Sequence, residues 1–173
     1  MPTSDVLLRK LREIQYFLRQ MNAVVGEPIG DAEEFGFLLS ALLSAGRSIT
    51  DALENRRYGE WFTRWQTGRT SSDARLLKFM RTQRNAEVHR EGADTDSRLH
   101  LVQISEIHAA DRSHPAYGFY VFAPPDLVPT SVGVTVYWFD LGGTQVEAVD
   151  ACRRFVAVLG ELVDAFGEAH PGE

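Results

Sequence analysis

Between Asp31 and Leu53 the chain carries one long helical pattern whose middle, Phe37-Leu38-Leu39-Ser40-Ala41-Leu42-Leu43-Ser44-Ala45-Gly46-Arg47-Ser48, is almost entirely apolar or small. A helix with so little polar surface has to be enclosed by neighbours, which makes this segment the central helix of whatever the chain builds. Ser40, Ala41, Ser44, Ala45, Gly46 and Ser48 add so little bulk that a second helix can approach its backbone closely. Asp31 followed by Glu34 reads as a capping box at its start. Ser40 and Ser44 interrupt the apolar run, which is also too short to cross a bilayer, so no membrane partner is expected. Arg47 is the one long polar intrusion, either a member of a buried structural ion pair or a cation beside a functional site.

The flanking segments supply the neighbours. Leu7, Leu8, Leu11, Ile14, Phe17, Leu18 and Met21 recur at close to helical spacing, predicting an amphipathic helix from Ser4 to Met21. Gly26, Pro28 and Gly30 mark a loop. Arg56 to Gln66 holds a short helix or turn rich in aromatics, of which Trp61, Phe62 and Trp65 read as core packing, with base stacking the alternative. A further helix opens at a Ser71 or Ser72 cap, runs through Leu76, Leu77, Phe79, Met80 and Val88, and stops at Gly92. Beyond it the period changes. Leu99–Ile107, Tyr117–Ala123 and Val132–Phe139 are rich in β-branched and aromatic residues and are separated by proline-containing turns, as in a meander of three strands. In the last, Val132, Val134, Val136 and Trp138 alternate with Gly133, Thr135, Tyr137 and Phe139, so burial on both faces is expected. Thr144 and Glu147 read as a second capping box before the final helix, which carries Val149, Phe155, Leu159, Leu162 and Phe166.

The fold class read from this pattern is α+β: a four-helix bundle with a three-stranded antiparallel β-meander inserted before the last helix. At 173 residues it fits a single domain spanning 1–173, helical over 4–92, with the meander at 99–140 and the C-terminal helix at 144–167. A composition of 44% hydrophobic and 24% charged residues excludes disordered, collagenous and membrane classes. The first residues lack an export pattern, so a cytoplasmic location is expected. Cys152 stands alone and falls in an apolar helical pattern, where a reduced, buried thiol is expected. The net charge of −6 argues against coating nucleic acid by bulk electrostatics, yet Arg56 to Arg90 holds nine Lys/Arg against three Asp/Glu. That basic segment is either a solvated helix surface or the flank of an anion site.

Inside it lies Arg84-Asn85-Ala86-Glu87-Val88-His89, an arginine followed by asparagine and, four residues after that, a histidine. With the small-residue helix upstream, this motif resembles the HEPN superfamily (higher eukaryotes and prokaryotes nucleotide-binding domains). Its ribonuclease members carry such an arginine and histidine and usually dimerise so that two copies of the motif line a shared cleft. The resemblance covers the helical parts, and the strand insertion departs from a minimal HEPN bundle. It implies a HEPN-like four-helix bundle, a homodimer, an RNA substrate and a metal-independent endoribonuclease activity. Proteins of this kind commonly serve as toxins or anti-phage components opposed by a cognate antitoxin protein.

The chemistry suits the residues. Metal-independent RNA cleavage needs a base for the 2′-hydroxyl, an acid for the leaving oxygen and a cation for the phosphorane charge. Imidazole can exchange a proton near neutrality, and guanidinium stays charged and grips two phosphate oxygens. His89 is therefore assigned as acid/base, Arg84 as phosphate stabiliser and Asn85 as orienting residue. Arg81, four residues before Asn85, and Arg47 are the candidate substrate-binding cations. The competing reading is structural: Arg84 pairs with an acid, Asn85 bonds a loop, and His89 sits at a helix C-terminus where positive charge is favoured. In functional terms that alternative is a non-catalytic HEPN-like module binding a nucleotide or a protein. His108, Asp111 and His114 lack the spacing of a metal site, and Gly142-Gly143 lacks the lysine of a phosphate cradle, so neither a metal nor a cofactor is expected.

Overall fold

The computed structural model describes residues 4–25, 32–55, 57–89, 96–103 and 131–172, and for residues 84–89, 96–103 and 131–135 it describes the backbone alone. In chain order these form α1 (Ser4–Val25), α2 (Ala32–Leu53), α3 (Gly59–Thr67), α4 (Ser71–His89), β1 (Asp96–Gln103), β2 (Ser131–Asp140), β3 (Gln145–Glu147) and α5 (Ala148–Ala169). The molecule is thus mostly helical with a small antiparallel sheet, an α+β arrangement.

α1 buries Leu7, Leu11, Ile14, Met21 and Val25, a seam in steps of three, four and seven residues that keeps one stripe on one partner. That partner is α2, and the same helix also lies along α5. α2 packs on α1, α4 and α5. It is the central helix, but not an enclosed one: Ser44 and Ser48 are exposed and Phe37 is 66% exposed. Phe37, Ser44 and Ser48, seven and four residues apart, share one stripe opposite Leu39, Leu42, Leu43, Ala45 and Ile49 and leave one side of α2 open.

The close approach expected of the small residues occurs at Gly46. A Cβ there would stand 2.7 Å from Cε1 and 2.9 Å from Cζ of Phe155, with Leu159 Cδ1 at 3.3 Å. The missing side chain is what lets the Phe155 ring of α5 rest against α2. Cys152, one turn earlier on α5, is fully buried, and burial pushes its thiol up to about 12, which keeps it protonated and unreactive.

β2 pairs antiparallel with β1, Asp96 opposite Trp138 through Gln103 opposite Ser131, and with β3, Trp138 opposite Glu147. In the described sheet β1 and β2 are hydrogen-bonded neighbours, and the expected Tyr117–Ala123 strand lies outside the described residues. The third strand is Gln145–Glu147. It displaces the expected capping box: Thr144 caps no helix, and α5 begins at Ala148 after an extended Glu147. Gly142 and Gly143, at φ +65° and +87°, make the two-residue turn between β2 and β3, with the Leu141 N–H donating to the Thr144 carbonyl at 2.8 Å. Only glycine enters that region freely, so the Gly-Gly pair serves a hairpin and not a helix start.

One face of the sheet docks on the helices. Tyr137 and Phe139 are buried, the Tyr137 ring stacked on Phe35 of α2 (3.7 Å, 7°) and Phe139 edge-on to Phe79 of α4 (5.2 Å, 68°). On the other face Val136 and Trp138 are half-buried and Asp140 is exposed, so burial at this end of β2 is one-sided. In and just before α3, Tyr58 and Phe62 are buried, and Trp61 meets Phe166 edge-on at 5.6 Å, the core role expected of these aromatics. Among the described residues no helix is long and apolar enough to cross a membrane.

Two glycine substitutions should separate packing from propensity. Gly46→Ala gains about 1 kcal/mol of helix propensity but overpacks Phe155 at a cost of about 1–3 kcal/mol, so urea denaturation should show net destabilisation of about 1 kcal/mol. Gly160→Ala in α5, where a new Cβ meets nothing within 4 Å, should instead stabilise by about 0.5–1 kcal/mol.

Candidate functional site

α4 is held from its first turn. Thr70 precedes it, and the Thr70 hydroxyl oxygen accepts the Asp73 N–H at 3.1 Å while its O–H donates to the Asp73 carboxylate at 2.9 Å. Thr70 is therefore the cap, in place of the expected Ser71 or Ser72. It satisfies one of the orphan amides of the first turn, an interaction of about 1 kcal/mol. Asp73 is buried, and Arg154 of α5 donates to it through Nε at 2.9 Å and Nη2 at 2.8 Å, a two-pronged pair that ties α4 to α5. The Arg154 guanidinium, helped by the Thr70 hydroxyl, holds the Asp73 carboxyl below the usual aspartate range against the opposing effect of burial.

From this anchor α4 runs past α2 and leaves a cleft of about 270 Å³ between them. Leu43, Gly46, Leu77, Met80 and Phe155 form an apolar floor. Arg47, Glu54, Lys78 and Arg81 form a charged rim. Both substrate-binding candidates thus line one cleft, and Glu54 joins them. Its Oε1 accepts from Arg81 Nη1 at 2.9 Å, and its Oε2 from Arg81 Nη2 at 3.4 Å and Arg47 Nη2 at 3.5 Å. Arg47 also pairs with Asp51 one turn along α2. The ion-pair reading of Arg47 and the reading as a cation beside a site therefore both describe part of what is found.

Two features of the cleft bear on its chemistry. Arg47 is only 19% exposed, and its Nη1 is buried with no acceptor among the described residues. A buried donor left unmatched costs about 1–3 kcal/mol, so this cation lacks a group it could use. Arg81, by contrast, is 50% exposed, and a pair of this kind contributes only about 0–1 kcal/mol. Glu54 can give up Arg81 at little cost. Glu54 went unnoticed in the sequence, although it stands two helical turns beyond Arg47, a spacing that puts both on one face.

Arg84, Asn85 and His89 occupy the last turns of α4, whose backbone is helical through His89; their side chains lie outside the described part. Backbone geometry still ranks their positions. Counting from Ala74, which lines the cleft, at about 100° per residue, Lys78 and Arg81 fall at about +40° and −20°. On the same count Asn85 falls at about +20°, His89 at about +60° and Arg84 at about −80°. Asn85 therefore continues the cleft-lining stripe about 6 Å beyond Arg81, and the other two lie on opposite edges of it. The helix brings Asn85 into line with the cleft and separates Arg84 from His89 by about 140°.

His108, Asp111 and His114 lie outside the described residues, as do Asp31 and Gly92. Among the described residues no group of three or more His, Cys, Asp or Glu side chains could hold a metal ion. Comparison with protein-family models, curated proteins and solved structures finds no match to this chain.

The Asp73 pair makes an acid-range prediction. Its carboxyl titrates lower in the folded chain than the usual value of 3.8, so its stabilising effect is complete above that value and is lost as pH falls through the folded-state value. Thermal unfolding of Asp73→Asn should show a lower Tm at pH 7. Between about pH 4 and pH 2 its Tm should fall less steeply than that of the unaltered protein.

Proposed function

We propose that the chain is a metal-independent endoribonuclease of HEPN type, built on a HEPN-like helical bundle and acting as a homodimer. The observation that carries this reading is the alignment along α4: Lys78 and Arg81 line a cleft that Arg47 also lines, and Asn85 follows one turn later at nearly the same angular position on the helix. The cleft cations Arg47, Lys78 and Arg81 lead a phosphodiester backbone toward the end of the helix where Arg84 and His89 stand. There an imidazole removes the 2′-hydroxyl proton while the 2′-oxygen bonds to phosphorus. The Arg84 guanidinium offsets the phosphorane charge, and a second imidazole protonates the 5′-oxygen as its bond to phosphorus breaks. Two imidazoles call for two copies of His89. A dimer supplies them, and it also answers the angular separation of Arg84 from His89, because each can meet its counterpart from the other copy. A role as a toxin or anti-phage component, restrained by an antitoxin protein, belongs to this reading.

A second reading draws on Glu54. It already neutralises Arg81 and part of Arg47, an arrangement suited to a non-catalytic module in which the same surface binds a nucleotide or a protein.

The assay that separates them is cleavage of a diverse RNA pool by purified protein in excess chelator. The enzyme reading expects products ending in 2′,3′-cyclic phosphate, and a loss of about 100-fold or more in His89→Ala and Arg84→Ala with folding retained. Glu54→Gln, which frees Arg81 and leaves Arg47 with Asp51 alone, should tighten RNA binding. RNA left intact throughout, with binding of a nucleotide or protein preserved, would establish the module instead.

A further inference from the structure

We infer that the α2/α4 cleft binds a small monoanion with a compact apolar body, an aromatic carboxylate by chemical class. The inference concerns the cleft in the isolated chain and does not depend on RNA cleavage.

Size comes first. At interior packing density, 270 Å³ holds about ten non-hydrogen atoms, the scale of one substituted ring. The floor suits that ring. Leu43, Leu77, Met80 and Phe155 offer apolar surface, and Thr50 and Gln66 are the neutral polar residues of the lining, so an apolar body gains more by entering than a fully hydrated inorganic ion does. Charge selects the other end of the ligand. The rim brings together three cations, Arg47, Lys78 and Arg81, and the carboxylates of Asp51 and Glu54 answer two of them. One positive charge remains, and the Lys78 ammonium has no acidic partner among the described residues. A neutral apolar molecule would cover that charge without compensating it, whereas a monoanion balances it.

Hydrogen bonding agrees with the charge count. Arg47 keeps one guanidinium nitrogen buried without an acceptor among the described residues, so turning toward a ligand oxygen gives it a partner. Arg81 is exposed enough to exchange one oxygen of Glu54 for one of the ligand. The carboxylate would therefore lie at the rim between Arg81 and Lys78, with Arg47 reached from below and the ring over Phe155.

Benzoate is the probe, tested on the purified chain by calorimetry and by amide NMR shifts, with acetate as the anion lacking a body and benzyl alcohol as the body lacking a charge. Benzoate should bind saturably, one per chain, at least about tenfold tighter than either control, and shift the amides of α2 and α4 along the cleft. The exposed-residue variants Arg81→Gln and Lys78→Gln should each weaken it by about fivefold or more, and Ala74→Phe, which fills the cleft wall, should abolish it. Acetate binding as tightly as benzoate would reduce the site to surface cations. Benzyl alcohol matching benzoate would reduce it to an apolar hollow, and affinity unchanged in both glutamine variants would place the ligand elsewhere. Each of these three results overturns the inference.

Discussion

A side chain that is not there sets the geometry of this molecule. Gly46 lets the Phe155 ring of α5 come within clash distance of where a Cβ would stand, so any larger residue there would force the ring to shift. Because interiors are packed nearly to crystal density, a displacement at that point would be passed to everything resting on it. Much rests on it. Phe155 is also part of the cleft floor, and α4 forms the opposite wall, so the spacing of the cleft is fixed by the same contact that closes the core. The small-residue pattern of α2 is thereby tied to a candidate site as well as to stability.

α4 is pinned at two places about 12 Å apart, by Asp73 to Arg154 of α5 and by Arg81 to Glu54 after α2. The two pins differ in kind. The first has a buried carboxylate gripped by two nitrogens and a hydroxyl, and it fixes the entry of the helix. The second is half in water and can open. A helix held firmly at its start and loosely near its middle can exchange partners along the rim of the cleft without moving its axis. The pairing of a rigid wall with a replaceable clamp is what a binding cleft needs, whichever ligand it takes.

The helices were legible in the sequence because each has a stripe of large apolar side chains whose period survives any detail of packing. α2 was found from Ala32 to Leu53, and Cys152 was placed correctly as a buried thiol. What failed was local and depended on partners distant in the chain. Thr144 and Glu147 have capping-box chemistry, but Gln145–Glu147 found hydrogen bonds with Trp138–Asp140 of β2, and the strand took precedence over the helix. Thr70 won the cap of α4 over its serine neighbours because Asp73 stands three residues after it and is itself fixed by Arg154, 81 residues away. Sheet order was less legible for a related reason: strand propensity locates strands but says nothing about which of them pair. In the site, Arg47 and Arg81 were singled out separately, and the group that unites them, Glu54, was overlooked because carboxylates at helix ends are ordinary in sequence and acquire meaning only from what folds against them.

The same carboxylate governs what the basic segment can do. From Arg56 to Arg90 the chain carries an excess of positive charge that suggests an anion-binding surface. In the fold this excess is partly spent: Arg69 pairs with Glu161, and Arg81 with Glu54. What remains at the cleft is a small positive balance beside an apolar floor, far from the broad cationic field by which proteins coat nucleic acid. Selectivity there must come from shape and from a few directed donors. An RNA strand reaching the end of α4 would have to be recognised at close range, one phosphate or one ring at a time, and Glu54 would have to yield to it. Any ligand that displaces Glu54 from Arg81 changes the charge presented along the stripe that continues to Asn85, so the occupancy of the cleft and the electrostatics at the end of α4 are coupled through one side chain.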